Sequence, residues 1–262
     1  MSMSRTHMQL IRMAIASRLE HRENIFFQGV LQILNFAFLI LFIEIVFSRI
    51  STISGWNKEQ MQFLGSIAQI ISILYSTFLA GGVSYLQEEV RKGTFDFILL
   101  KPLDSQLFVS ISRFNLVPLM SITGPLLWIL YLIVQKEVPI IPERIPFALL
   151  LILCGVLIRY SFGLGIAILS FVFTKVSALQ SLQTSLFNQS HYPSSIFSGW
   201  IKIFLVYVVP VALLANAPTA SLTGWFYSFQ DAVILLLYTT IAVISCRYLY
   251  CMLVAKYTSA SS

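Results

Sequence analysis

A chain of 262 residues with 57% hydrophobic and only 11% charged side chains cannot cover itself with polar groups in water, where a domain of this size carries roughly 25% charged residues. Its mean hydropathy of +0.82 makes lipid the expected solvent, and the apolar runs are too long for barrel strands, so an all-α integral membrane protein is expected. The net charge of +6 suggests nucleic acid in a soluble chain; its placement argues for topology instead.

Taken in order, residues 4–22 suit a helix in the membrane interface, with Met8, Ile11, Ile15 and Leu19 on one side and Arg5 and Arg12 largely elsewhere. Six apolar spans follow, at 28–47, 63–86, 114–134, 147–173, 201–217 and 232–251, each near the ~20 residues that cross a bilayer. No cleavable signal peptide is evident, because the first apolar run continues into a full span. Span one is followed by an outer loop with Gly55, Trp56 and Asn57. Pro118 and Pro125 are expected to kink span three. Pro139, Pro142 and Pro146 stiffen the next outer connection. Gly155, Gly163 and Gly165 give span four small surfaces for close packing. The polar stretch 174–197 is expected to be a cytosolic amphipathic segment, broken at Tyr192-Pro193. Between spans five and six, a small re-entrant element requires shielding by protein or an aqueous cavity.

With the N-terminus in the cytosol, the inner side holds Arg5, Arg12, Arg18, Arg22, Arg91, Lys92, Lys101, Arg113, Lys175, Lys202, Arg247 and Lys256. The outer side holds Arg49, Lys58, Lys136 and Arg144. This bias of roughly three to one fits the positive-inside rule and places both termini in the cytosol. The chain is expected to be one transmembrane domain over 1–262, with cytosolic pieces at 1–24, 87–113 and 174–197.

Cys154, Cys246 and Cys251 fall in spans without zinc-type spacing or a disulfide framework. No Gly-x-x-x-x-Gly-Lys-Ser/Thr loop, His-Glu-x-x-His motif or Gly-x-Ser-x-Gly elbow occurs, so neither a bound nucleotide nor a metal nor an enzymatic function is expected of this chain. Two charges fall within spans. Arg159 lies near the middle of span four, where insertion costs roughly 2.5–3.5 kcal/mol. Glu44 lies toward the outer end of span one. They read either as part of a substrate path or, preferably, as structural charges, with Glu44 snorkelling outward and Arg159 bonded inside the bundle; direct pairing stays open.

The strongest positive signal is a polar island after span two. Glu88, Glu89, Arg91, Lys92, Asp96, Lys101 and Asp104 surround the apolar patch Phe95, Phe97, Ile98, Leu99 and Leu100, with Gly93 and Pro102 as helix-breakers. An exposed apolar patch marks an interaction site, or else it folds back on the bilayer.

The run Arg91-Lys92-Gly93-Thr94-Phe95-Asp96-Phe97-Ile98-Leu99-Leu100-Lys101-Pro102 resembles the loop after span two in permeases of ABC type-2 exporters, in the branch with an R-x-G-[ST]-x-D-x-x-L-x-[KR]-P pattern. Tyr192-Pro193, Val209-Pro210 and Ala217-Pro218 are similar to later segments of that branch. The resemblance implies a coupling helix in this loop that docks on a separate ABC ATPase subunit, with Glu88, Glu89, Arg91, Gly93, Asp96, Lys101 and Pro102 as contacts and turn-formers. It further implies ATP and Mg on that partner, a second permease chain (identical or sister), export as the direction, and the bacterial cytoplasmic membrane as location. The rival expectations are an ion- or proton-coupled secondary transporter, for which inverted repeats and buried midplane acids are not evident, and a membrane scaffold without transport.

Overall fold

The computed structural model describes residues 22–171 and 177–255, which are helical apart from turns and an isolated bridge between Ile53 and Trp56. The expected interfacial helix falls outside these residues except for Arg22. Helix α1 (Arg22–Phe47) turns Phe36, Ile40 and Ile43 inward and leaves Phe27, Leu34, Phe38, Leu41 and Ile45 exposed. A helix that is apolar all round and buries one narrow stripe is suited to lipid. A turn with Ser54 and Gly55 at positive φ leads into α2 (Lys58–Phe78). Its start is fixed by a capping box, in which Asn57 and Gln60 exchange two bonds of 2.9 Å. Phe63, Leu64, Ile67, Ala68 and Ile71 are buried, which makes α2 the central post of the bundle.

The helix breaks at Leu79 and resumes as α3 (Ala80–Lys92), followed by α4 (Asp96–Leu99) and α5 (Ser105–Ile111). The chain returns through α6 (Val117–Met120) and α7 (Thr123–Val134). The proline kinks expected in span three take the form of a break between these two helices. Pro118 and Pro125 each sit in a first turn, where the missing N–H removes no intrahelical bond. Helix α8 (Ile145–Ile168) packs closely on α2: a Cβ on Gly155 would lie 3.2 Å from Ile71, and one on Gly163 would lie 2.6 Å from the Tyr75 hydroxyl. Gly165 faces open space, so the small-residue reading holds at two of its three glycines.

The fifth crossing departs from expectation. Helix α9 (Ser177–Asn188) begins beside α3, where Gln180 Nε2 donates to Gln87 Oε1 at 2.6 Å. Gln183 Nε2 then donates to the Arg159 carbonyl at 3.2 Å, the His191 Nε2 lies 3.2 Å from Gln69 Oε1, and Ser195 Oγ reaches the Ser54 carbonyl at 3.5 Å. These contacts climb α2 from its end beside α3 to the turn that precedes it. The described part of 174–197 is therefore not confined to one end; it runs the length of the bundle, with α9 alone rising about 18 Å.

Residues 201–217, expected as span five, form a hairpin instead. Helix α10 (Gly199–Ile203), extended by a π-turn over Phe204–Val208, meets α11 (Leu213–Thr223) at a bend of 80°. The turn lies deep: the Tyr238 hydroxyl donates to the Val208 carbonyl, and a Cβ on Gly155 would lie 3.6 Å from Leu214 O. Both arms lead to the end bearing Ser54. There Ile141 N donates to Leu222 O at 2.8 Å, and Trp56 stacks on Phe226 at 5.0 Å. The hairpin is thus re-entrant, and Val211 to Ala215 are almost entirely buried. Burial in protein is what permits broken helix at this depth. Hydropathy favours 201–217 over 177–195 because it counts apolar residues and not the partners of polar ones. Lys202, assigned to the inner side from sequence, moves with the hairpin to the opposite end, where its charge acts on Asp231.

Helix α12 (Phe229–Ala255) runs back beside α8 and buries Ala232, Leu235, Cys246 and Tyr250. Among the described residues, five helical segments are long and apolar enough to cross a membrane, and the bent pair passes the same test as a unit. Ser121 Oγ donates to Gln32 in the first half of α1, and Val254 packs in the cluster that holds Phe95 and Leu86. Both described chain ends therefore lie at the end that carries the polar island.

Candidate functional site

The polar island projects from that end on a rigid stem. Helix α3 stops because Gly93 adopts φ +70°, a left-handed conformation that ends a helix at little cost for glycine. Gly93 N and Thr94 N then satisfy the carbonyls of Val90 and Glu89 at 3.1 and 3.0 Å. Glu89 Oε2 accepts from Thr94 Oγ1 at 2.7 Å, which ties this carboxylate into the turn. Glu88 pairs with Lys92 at 2.5 Å, and that ammonium holds its exposed carboxyl below the ordinary value.

Asp96 opens the four-residue helix α4, where its charge complements the free N–H groups of the first turn. Phe95 and Ile98 on this element are buried at 0% and 1% exposure, packed with Leu86, Phe108 and Tyr250. Phe97 and Leu100, at 68% and 79%, face away from the bundle. The sequence left open whether the apolar patch folds back or presents itself. The structure divides it: Phe95 and Ile98 anchor the loop, while Phe97, Leu100 and, less fully, Leu99 are displayed. Arg91, Lys101 and Pro102 are exposed beside the displayed side chains, with Lys101 Nζ 3.7 Å above the Phe108 ring.

Two attachments of this loop escaped the sequence reading. The first is at Asp104, which caps α5 by accepting from Leu107 N at 2.9 Å and receives two bonds from Arg247 of α12, at 2.5 and 3.0 Å. Arg247 Nη1 also donates to Gln106 Oε1 at 2.9 Å. The Asp-Ser-Gln-Leu run was legible as a helix cap; its partner, 143 residues away in sequence, was not. The second attachment is backbone contact. A Cβ on Gly82 would lie 2.4 Å from Val109 O, and one on Gly81 would lie 2.0 Å from Arg113 O, so α3 and the end of α5 touch main chain to main chain.

The Arg247 guanidinium holds the Asp104 carboxyl below its ordinary value, against an opposing effect of burial. A carboxyl lowered on folding stabilises at pH above its unfolded value of ~3.9, and loses that contribution as pH falls through the lowered folded value. The anchor therefore stays closed at neutral and mildly acidic pH. Because both side chains are partly exposed, a double-mutant cycle with Asp104→Asn and Arg247→Gln is expected to give a coupling of only about 1 kcal/mol in the unfolding of the full chain in detergent.

The two charges within spans are far apart. Glu44 accepts from Lys58 Nζ at 3.1 Å and from Gln62 Nε2 at 3.2 Å, at the end opposite the island. With this pair partly exposed, Glu44→Gln is expected to change the unfolding free energy by less than about 1 kcal/mol, read from the same melts. Arg159 is buried, and its Nη1 donates to Ser72 Oγ at 2.6 Å. Tyr75 and Phe187 flank its guanidinium at 5.1 and 5.5 Å. The direct Glu44–Arg159 pair that the sequence left open does not form.

A search of curated proteins finds no match to this chain. The family model described as "ABC-2 family transporter protein" matches residues 33–261, nearly the whole sequence and every described helix from mid-α1 to α12. The chain is therefore a multi-pass membrane protein of the ABC-2 transporter family, the permease component of an ABC transporter.

Proposed function

We propose that this permease works by conformational coupling to separate ABC ATPase subunits that dock on the loop around α4. The observation that carries this reading is the exposure of Phe97 and Leu100 at the tip of a loop that Phe95 and Ile98 anchor in the bundle. A large apolar surface on a rigid projection has reason to exist only if a partner covers it. Arg91, Asp96 and Lys101 supply a polar rim, while Glu88, Glu89, Gly93 and Pro102 shape the turns. ATP and Mg bind on the partner. Asp104–Arg247 and the Gly81–Gly82 contact carry displacement of the loop into α12 and α3, so closure of the ATPases tilts the spans.

With Lys202 moved, the described basic residues divide nearly evenly between the two ends, so the cytosolic assignment of the island end rests on the docking reading together with the run of Arg5, Arg12, Arg18 and Arg22 that precedes the first span in the sequence. The re-entrant hairpin then opens outward. Helix α9 exposes Ser181, Thr184, Ser185 and Asn188 along its length, a face ill-suited to hydrocarbon. A second permease chain, identical or sister, covers this face and encloses the path with it. The location is the bacterial cytoplasmic membrane and the direction is export.

The test is purification of the full chain from its native membrane in mild detergent, with mass spectrometry of what accompanies it. A stoichiometric soluble ATPase is the expected companion. Recovery of the chain alone, while control complexes in the same preparation stay intact, would overturn the coupling reading in favour of a gradient-driven transporter.

A further inference from the structure

Beside Arg159 lies a partly open cavity of about 370 Å³, lined by α2, α3, α8 and α9 in the half of the bundle nearer the island. Its polar lining includes Gln180, Gln183, Thr184, Ser76 and Ser84, and among the described residues Arg159 is the only charged one on its wall. The arginine has been taken out of water without a counter-charge: no carboxylate lies within ion-pairing distance among the described residues. Its hydrogen bond to Ser72 is the only one its guanidinium makes there, and the flanking Tyr75 and Phe187 rings fix its plane without neutralising it. Gln87 adds a buried Nε2 with no acceptor, next to the Gln180 amide that borders the cavity. A buried cation without a counter-charge, set against a polar void of ligand size, lacks an anion.

We propose that this cavity binds an anionic group, a phosphate or carboxylate, through the Arg159 guanidinium, with the Ser76 and Ser84 hydroxyls and the second amide N–H of Gln180 and Gln183 donating to its remaining oxygens. Guanidinium matches such oxygens in a planar, two-pronged geometry that lysine does not reproduce. The anion comes either from a soluble molecule or from the headgroup of a membrane lipid, and both present the same oxygens. Its role as a cargo site rests on the permease reading; its affinity for anions does not.

The experiment uses the full chain in non-ionic detergent without ATP or any ATPase, so its outcome is independent of the coupling test. The thermal unfolding midpoint is titrated with inorganic phosphate and with acetate against sodium chloride at matched ionic strength. A parallel titration compares phosphatidylglycerol with phosphatidylcholine. A saturable upward shift with phosphate or acetate is expected for a soluble anion, and a shift with phosphatidylglycerol alone for a lipid headgroup. In either case Arg159→Gln is expected to raise the apparent dissociation constant about tenfold or more, the scale of one charge-assisted bond, and Arg159→Lys to restore only part of the affinity. A second variant, Ser76→Leu with Thr184→Leu, fills the cavity and leaves the arginine in place; it is expected to abolish the shift. Absence of a shift with every anion, or a shift that survives both Arg159→Gln and the filled cavity, overturns the proposal.

Discussion

Gly82→Ala is expected to lower the unfolding midpoint of the full chain by several degrees, although alanine is the better helix former. The gain in helix propensity is about 1 kcal/mol. Against it stands a Cβ placed 2.4 Å from Val109 O and 2.7 Å from Ser110 O. Main-chain oxygens held in the next helix cannot swing away as a flexible side chain does, so α3 and α5 must separate. Overpacking of this kind costs about 1–3 kcal/mol, and the backbone contact puts Gly82 at the upper end of that range. Gly81→Ala acts in the same direction, with 2.0 Å to Arg113 O. Gly165→Ala is the control: nothing lies within 4 Å of its added methyl, and its midpoint is expected to stay level or rise. The measurement is intrinsic-fluorescence melting of the three variants in one detergent. A Gly82→Ala chain that melts at or above the wild-type temperature would show that the stem of the loop is not packed through its backbone.

Phe97→Asp combined with Leu100→Asp is expected to leave the fold intact and to remove the ATPase. Both side chains are exposed, so their replacement takes nothing from the core. Each large apolar side chain buried in a partner contributes roughly 1.5–3 kcal/mol, so losing two weakens docking at least about a hundredfold. The paired variant Phe95→Asp with Ile98→Asp has the opposite profile. These residues are 0% and 1% exposed, and uncompensated carboxylates in their place are expected to lower the melting temperature before any docking is read. Arg91→Ala with Asp96→Ala trims only the polar rim and is expected to loosen docking by about tenfold, as rim charges do. Retention of the accompanying ATPase and the melting midpoint are measured on the same preparations. Undiminished recovery of the ATPase with the Phe97, Leu100 variant would remove the loop from the docking surface.

The solvent, the helical class and the family were legible in the sequence because they depend on sums over many residues. Low charge and long apolar runs fix a membrane chain however it packs. The turn and short helix within the Arg91 to Pro102 run were legible because they are local: Gly93 ends α3 and Asp96 opens α4 within four residues of one another. The fifth crossing was not legible, for a physical reason. Gln180, Gln183 and His191 make 177–195 look too polar to cross, and only their placement against Gln87, the Arg159 carbonyl and Gln69 shows that protein supplies their partners. The hairpin is the converse case: its turn and second arm, from Val211 onward, meet the core and not lipid, while Trp200, Ile203 and Tyr207 of its first arm stay exposed. Asp104 with Arg247, and Gly82 with Val109, join residues whose proximity no local pattern encodes. Arg159 was visible as a charge out of place, while the cavity beside it exists only where four helices fail to close.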